Sequence, residues 1–169
     1  MSPTLNPEAE FAYGAGLINP VKAANPGLVY DINEADYIKF LCGEGFTDKQ
    51  LRVLTEDHSS CKGQANKAVF ELNLPSFSLY VNGSDFGSPY QRTVTNVGST
   101  TSTYKVRVIA PSSLNIQVKP NTLSFTSIGQ KKSFYVIIEG RINMEILSAS
   151  LIWDDGNHQV RSPIVVYQF

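Results

Sequence analysis

Tyr90-Gln-Arg-Thr-Val-Thr-Asn-Val-Gly98, continuing through Ser99-Thr-Thr-Ser102 into Thr103-Tyr-Lys-Val-Arg-Val-Ile-Ala-Pro111, is the stretch that decides the fold. In its second half Tyr104, Val106 and Val108 alternate with Lys105, Arg107 and Ile109. A period of two places one row on each face of a strand, which is the pattern of a half-buried strand. Thr93, Val94, Thr95 and Val97 are β-branched, stiff at χ1 and suited to a pleated surface. The Gly98–Ser102 cluster between the halves is a turn signal, so the stretch reads as two antiparallel strands of a sandwich.

The same signals continue from residue 68 to the end. Expected strands are 69–74, 77–82, 89–97, 103–110, 113–119, 122–126, 132–139, 147–154 and 158–168, with Asp154-Asp-Gly-Asn157 as a hairpin turn. Strands recurring about every ten residues with turn signals between them predict an Ig-like β-sandwich of about 100 residues. The fold class is therefore mainly β, preceded by a short helical segment.

Residues 1–13 show no periodicity and read as extended or loop. Asn19 is a good N-cap, and Pro20 sits at the first helical position, where its missing N–H is not needed. A single turn follows to Ala24, and Asn25-Pro-Gly27 stops it, since Pro26 disfavours helix at Asn25 and Gly27 permits positive φ. Leu28-Val-Tyr30 is a short extended piece. Asn33 with Asp36, and Thr47 with Gln50, are the pairs of two capping boxes that open short helices. Tyr37, Ile38 and Leu41 are the apolar positions of the first, Leu51 and Leu54 of the second. Helices this short need a surface to dock on.

The 169 residues carry 14 basic and 15 acidic side chains in scattered positions. No basic patch marks a nucleic-acid or anionic-membrane surface. No apolar run approaches the ~18 residues of a membrane-spanning helix. The start, Met1-Ser-Pro-Thr-Leu-Asn-Pro-Glu8, has no basic head and no apolar core, so it does not read as a signal peptide.

Few residues could carry chemistry. Cys42 and Cys61 are the only cysteines. They read either as a disulfide closing a loop, which in the chain-entropy model contributes about 3 kcal/mol, or as two free thiols. A zinc site lacks ligands, since only His58 lies near, and no metal or cofactor is expected. Asn82-Gly-Ser84 is the sole glycosylation sequon. His58 lies in a polar loop, and His158 with Asp154 or Asp155 reads as a solvated turn pair. With no Gly-x-Ser-x-Gly elbow, no catalytic residue is assigned.

Together these segments resemble the C-terminal end of plant subtilisin-like serine proteases of the cucumisin-like group. Tyr13-Gly-Ala-Gly-Leu-Ile-Asn-Pro-Val-Lys-Ala-Ala24 is similar to the last segment of a subtilisin catalytic domain, and Asn25-Pro-Gly-Leu-Val-Tyr-Asp31 to the exit from it. Asp36-Tyr-Ile-Lys-Phe-Leu-Cys42 resembles a linker helix bearing a disulfide cysteine. Leu72-Asn-Leu-Pro-Ser76, Arg92-Thr-Val-Thr-Asn-Val-Gly98, Ser102-Thr-Tyr104, Leu151-Ile-Trp-Asp-Asp-Gly156 and Val160-Arg-Ser-Pro-Ile164 resemble the fibronectin-III-like domain.

The resemblance implies a disulfide between Cys42 and Cys61, and a secreted, apoplastic endopeptidase with a Ser-His-Asp triad. None of the triad segments has a match in this chain, and a triad without its members leaves no nucleophile or base. The expected organisation is 1–31 as the edge of the catalytic domain, 32–67 as a helical disulfide-tied linker, and 68–169 as the fibronectin-III-like sandwich. The expected role of the sandwich is to pack on and stabilise a catalytic domain that lies upstream. That domain would be the main partner, the protein or peptide substrates being those of the parent enzyme, and neither nucleic acid nor membrane is expected as a partner. The rival expectation is a stand-alone interaction or adhesion module derived from such a protease.

Overall fold

The computed structural model describes residues 6–62, 69–82, 85–142 and 144–168. The chain divides into two compact units: Met1–Tyr30 with Pro75–Phe169, and Asp31–Leu74.

The first unit is a two-layer β-sandwich. Its four-stranded sheet has the order β1 (Leu28–Val29), β3 (Asp85–Asn96), β7 (Lys131–Arg141), β5 (Leu114–Lys119). Its five-stranded sheet has the order β2 (Phe77–Tyr80), β9 (Gln159–Tyr167), β8 (Ile146–Asp154), β4 (Ser102–Ile109), β6 (Thr122–Phe125). Every pairing is antiparallel except β2 with β9. The expected Asp-Gly hairpin joins β8 to β9, pairing Asp154 with Gln159, and Gly156 takes φ +91° in its turn.

The two halves of the deciding stretch are strands, but they do not pair with each other. β3 lies between β1 and β7, while β4 lies in the other sheet between β8 and β6. Residues 97–101 therefore cross from one layer to the other. A buried asparagine shapes that crossing. Asn96 Nδ2 donates to the carbonyls of Ser99 (2.8 Å) and Ser127 (3.1 Å), and Asn96 Oδ1 accepts from Gly98 N (3.2 Å).

Residues from both layers build the core. Trp153 of β8 is fully buried, with its ring 5.1 Å from and edge-on to Phe134 of β7. Phe77 of β2 meets Tyr90 of β3 edge-on at 5.7 Å. Arg92, only 4% exposed, lies with its guanidinium carbon 4.6 Å from the Phe77 ring centre. A buried arginine over an aromatic face gains a cation–π attraction that offsets part of its desolvation.

Two local readings differ from the structure. Glu10–Tyr13 form a helical turn, α1, where loop or extended chain is expected. Val69–Glu71 form a 3-10 turn rather than the first strand; Leu74 N bonds back to Leu72 O, so this stretch turns instead of extending beside a neighbour. Residues 9–30 belong to the same compact unit as the sandwich. The reason is pairing: Leu28 and Val29 add a strand to β3 opposite Asn96 and Thr95.

The second unit holds α3 (Glu34–Gly43) and α4 (Asp48–Thr55), and both open with the expected capping boxes. Leu51 is fully buried, whereas Tyr37 and Leu54 are 51% and 59% exposed. Cys42 and Cys61 are joined by a disulfide. The segment before Cys61 folds back on the start of α4, where Asp48 accepts from Cys61 N (2.8 Å) and from Ser60 Oγ (3.1 Å).

Candidate functional site

The sandwich carries a lead-in segment, residues 9–30, fastened at two places and exposed between them. At the first, α1 lies over the outward face of β8 and β9. Glu10, buried, accepts from Ser148 Oγ at 2.8 Å and from Arg161 Nη2 at 3.3 Å. Arg161 Nη1 donates to the Ala15 carbonyl (3.0 Å), and Phe11 stands edge-on to Tyr167 at 5.1 Å. Buried charge is tolerated when paired and hydrogen-bonded; Arg161 and Ser148 supply this at Oε1, while Oε2 has no hydrogen-bond partner among the described residues.

At the second fastening the segment crosses the end of the sandwich. The Gly27 carbonyl accepts from both Val97 N (2.9 Å) and Gly98 N (3.0 Å), and β1 follows at once. Gly27 has φ +80°, and a Cβ there would lie 2.7 Å from both His158 Cγ and Tyr104 Oη. Tyr30, one residue past β1, reaches Ser162 Oγ through its hydroxyl at 2.9 Å.

His158 is the wall of that crossing. It does not form a solvated turn pair: its side chain is 10% exposed and that of Asp155 is 6% exposed. The hairpin turn buries both because the lead-in segment passes over it. Asp155 accepts from the backbone N–H of Asn157 (2.9 Å) and of His158 (2.6 Å), and its Oδ2 lies 3.0 Å from His158 Nδ1. Burial pushes the Asp155 carboxyl up, but the hydrogen bonds from the His158 side chain and from these backbone N–H groups outweigh it, and the net position is below the usual aspartate range. Burial, reinforced by the charge on Asp155, drives the Tyr104 hydroxyl well above the usual tyrosine range.

Between the fastenings, residues 16–24 are exposed. Asn19 caps α2 (Pro20–Ala23) by accepting from Lys22 N. Leu17 is 85% exposed, and Ile18 and Val21 are each 86% exposed. Single exposed apolar residues are ordinary on protein surfaces, but three large ones within five positions of a loop held at both ends make a presented apolar surface. Beside it a groove of about 570 Å³ runs between Tyr13–Leu17 and Ile109–Pro111, floored by Ser148–Ser150 and Arg161.

The other sequence-marked residues lie elsewhere. Cys42 and Cys61 are in the helical unit. Asn82 is exposed, and the remainder of its sequon, Gly83-Ser84, lies outside the described residues. Among the described residues no three His, Cys, Asp or Glu side chains gather as a metal site would require, and no helix is long and apolar enough to cross a membrane. Sequence reading missed Glu10 and the packing role of His158. It marked Gly27 for its backbone, but nothing local to it signals the histidine 131 positions on that excludes a side chain there.

The profile of the fibronectin type-III domain matches residues 71–166. Subtilisin-like protease SBT4.6 of Arabidopsis thaliana is 49% identical over 166 residues, covering 96% of this chain and 22% of the relative. Subtilisin-like protease SBT4.12 of the same plant is 46% identical over 164 residues, again with 22% of the relative covered. The chain thus spans 22% of the length of these curated relatives. Among solved structures, the FixG-related protein from Vibrio parahaemolyticus aligns with 50% of this chain and 80% of its own at TM-score 0.41 and 13% identity, too distant to bear on function. With its two packed sheets and a profile match over most of its length, the chain belongs to the fibronectin type-III domain family, in a form similar along nearly its whole length to plant subtilisin-like proteases.

Proposed function

We propose that this chain is the C-terminal part of a secreted subtilisin-like serine endopeptidase, and that its sandwich docks on and stabilises the catalytic domain. The observation that carries the reading is the apolar loop of Leu17, Ile18 and Val21, exposed at 85–86% and held at both ends. Its position suits it to meet another body of the same polypeptide, since the relatives it matches carry most of their length outside the matched stretch. Covering three such side chains would contribute roughly 1.5–3 kcal/mol each before the costs of association. Whatever binds the folded partner shifts its folding equilibrium, so docking stabilises both sides. The nucleophile, base and orienting carboxylate are supplied by the upstream domain, and peptide substrates are those of the whole enzyme. In a secreted product Asn82, exposed, would carry the glycan.

The test is co-expression of the parent protein's upstream portion with this chain, either unaltered or as L17D/I18D/V21D. The unaltered chain is expected to co-purify with the upstream portion and to lengthen the half-life of its peptidase activity several-fold. Equal co-purification and equal half-life with the triple variant would overturn the reading.

A further inference from the structure

We infer that residues 25–30 form a strap, bolted by His158 onto the end of the sandwich, which fixes the posture of the apolar loop and couples its docking to the fold beneath. Four observations converge on the strap. The Gly27 carbonyl takes two N–H donors from the turn after β3, at 2.9 and 3.0 Å. Two glycines face each other there: a Cβ on Gly98 would come 3.1 Å from Gly27 Cα and 3.3 Å from His158 Cε1. The imidazole closes the remaining side, and Asp155 holds the imidazole through Nδ1. Beyond the slot, Leu28 and Val29 pair with β3, and Tyr30 bonds Ser162.

The slot therefore admits only a residue without a side chain, and its walls are His158 of the β8–β9 hairpin and Tyr104 of β4, neither of them from the strand that the strap joins. Loosening the hairpin turn frees the strap, and freeing the strap releases the C-terminal end of the loop that bears Leu17, Ile18 and Val21. Coupling of this kind is reciprocal: a body that seats the loop tightens the strap, and a tight strap favours seating. This consequence rests on the docking reading above; the strap itself does not.

Hydrogen exchange on the whole chain separates the two. Aspartate 155 to asparagine (D155N) keeps the volume of the turn but weakens its hold on the imidazole, and G27A forces a Cβ against the ring. In both variants the loss of protection at the Val97 and Gly98 amides is expected to exceed that at β7 and β8 by at least ~10-fold, since sub-global openings are distinguishable from global unfolding. H158G added to G27A removes both the ring carbon and the Cβ of residue 158, which the new Cβ would meet at 2.7 and 2.8 Å, leaves Tyr104 Oη at 2.7 Å, and is expected to recover part of the lost protection. Unchanged exchange at Val97 and Gly98 in both single variants, or uniform loss across the sandwich in both, overturns the strap. With the strap shown to loosen, co-purification of the upstream portion is expected to fall several-fold for D155N. Equal recovery of that portion by the D155N and unaltered chains overturns the coupling, whereas no recovery by the unaltered chain overturns the docking reading and leaves the strap standing.

Discussion

Gly27 and His158 are in contact across the end of the sandwich, so close that a Cβ on residue 27 would stand 2.7 Å from the ring carbon Cγ. The neighbouring glycine is less confined: a Cβ on Gly98 would meet its nearest atom at 3.1 Å, and its backbone is not in the left-handed region. Alanine at the two positions should therefore differ in cost. Gly27→Ala combines an overlap with the strain of φ +80°, and is expected to destabilise the sandwich by about 2–4 kcal/mol. Gly98→Ala requires a shift of a few tenths of an ångström and is expected to cost about 1 kcal/mol or less. Urea midpoints at constant m-value rank the pair; a reversed order would mean that the slot is not where the segment is held.

Asn96 gives a second expectation. It is fully buried, and its side chain joins the carbonyls of Ser99 and Ser127 to the N–H of Gly98. Asn96→Ala removes three hydrogen bonds, two to the carbonyls of Ser99 and Ser127 and one from Gly98 N, and at about 0.5–1.5 kcal/mol per bond the expected loss is about 2–4 kcal/mol. Asn96→Asp should be worse, because the atom facing both carbonyls becomes an acceptor. Thermal unfolding of the two variants checks the order.

These two residues also show what the sequence could and could not disclose. Strand positions were legible because the alternation of Tyr104, Val106 and Val108, or of Leu147, Ala149, Leu151 and Trp153, is a local property of a half-buried strand. Capping pairs were legible for the same reason, since Asn33 meets Asp36 and Thr47 meets Gln50 within one turn. In β3, however, the inward row is Tyr90, Arg92, Val94 and Asn96, with two polar members, and the β-branched threonines that signal the strand stand beside that row rather than in it. A buried polar residue is recognised by its partners, and those of Asn96 lie as far off as residue 127. The sheet to which each strand belongs was hidden likewise, because Gly98–Ser102 reads equally as a hairpin turn or as a crossing between layers. The lead-in segment was the least legible part. Its one buried charge, Glu10, is paired at Oε1 from residues 148 and 161, and no pattern within residues 1–13 reports that.

Reduction of the Cys42–Cys61 bond should act on the helical unit. The bond closes a separation of 19 residues, which corresponds to about 3 kcal/mol of loop-closure entropy. In C42A/C61A the amides of α3 and α4 are expected to lose ~100-fold or more of their protection, while Leu151 in β8 exchanges at its original rate. Equal loss at Leu151 would show that the two units unfold as one.

Acid should loosen the same helical unit. Asp57 accepts from Thr55 Oγ1 at 2.6 Å and from Ser59 N at 2.7 Å. The hydrogen bonds from Ser59 and Thr55 hold its carboxyl down to about 2, below the 3.8 of an unperturbed aspartate. Asp48 is lowered as well, first by the hydrogen bond from Cys61 N and then by that from Ser60. A carboxyl whose folded pKa is depressed favours the folded state at any pH above its unfolded value, and that contribution disappears as pH falls through the folded value. The window for Asp57 therefore runs from about pH 4 down to about pH 2. Since Asp57 is exposed, solvent screening keeps the effect small, and it is best read locally rather than from global stability. Carboxyl carbon shifts followed between pH 6 and 1.5 are expected to place the Asp57 midpoint near 2. In Thr55→Val, which loses the hydroxyl donor but keeps the shape of the side chain, that midpoint should move up toward the ordinary aspartate value. A midpoint near 4 in the unaltered chain, or one indifferent to Thr55→Val, would show that the turn after α4 is not closed by this carboxylate.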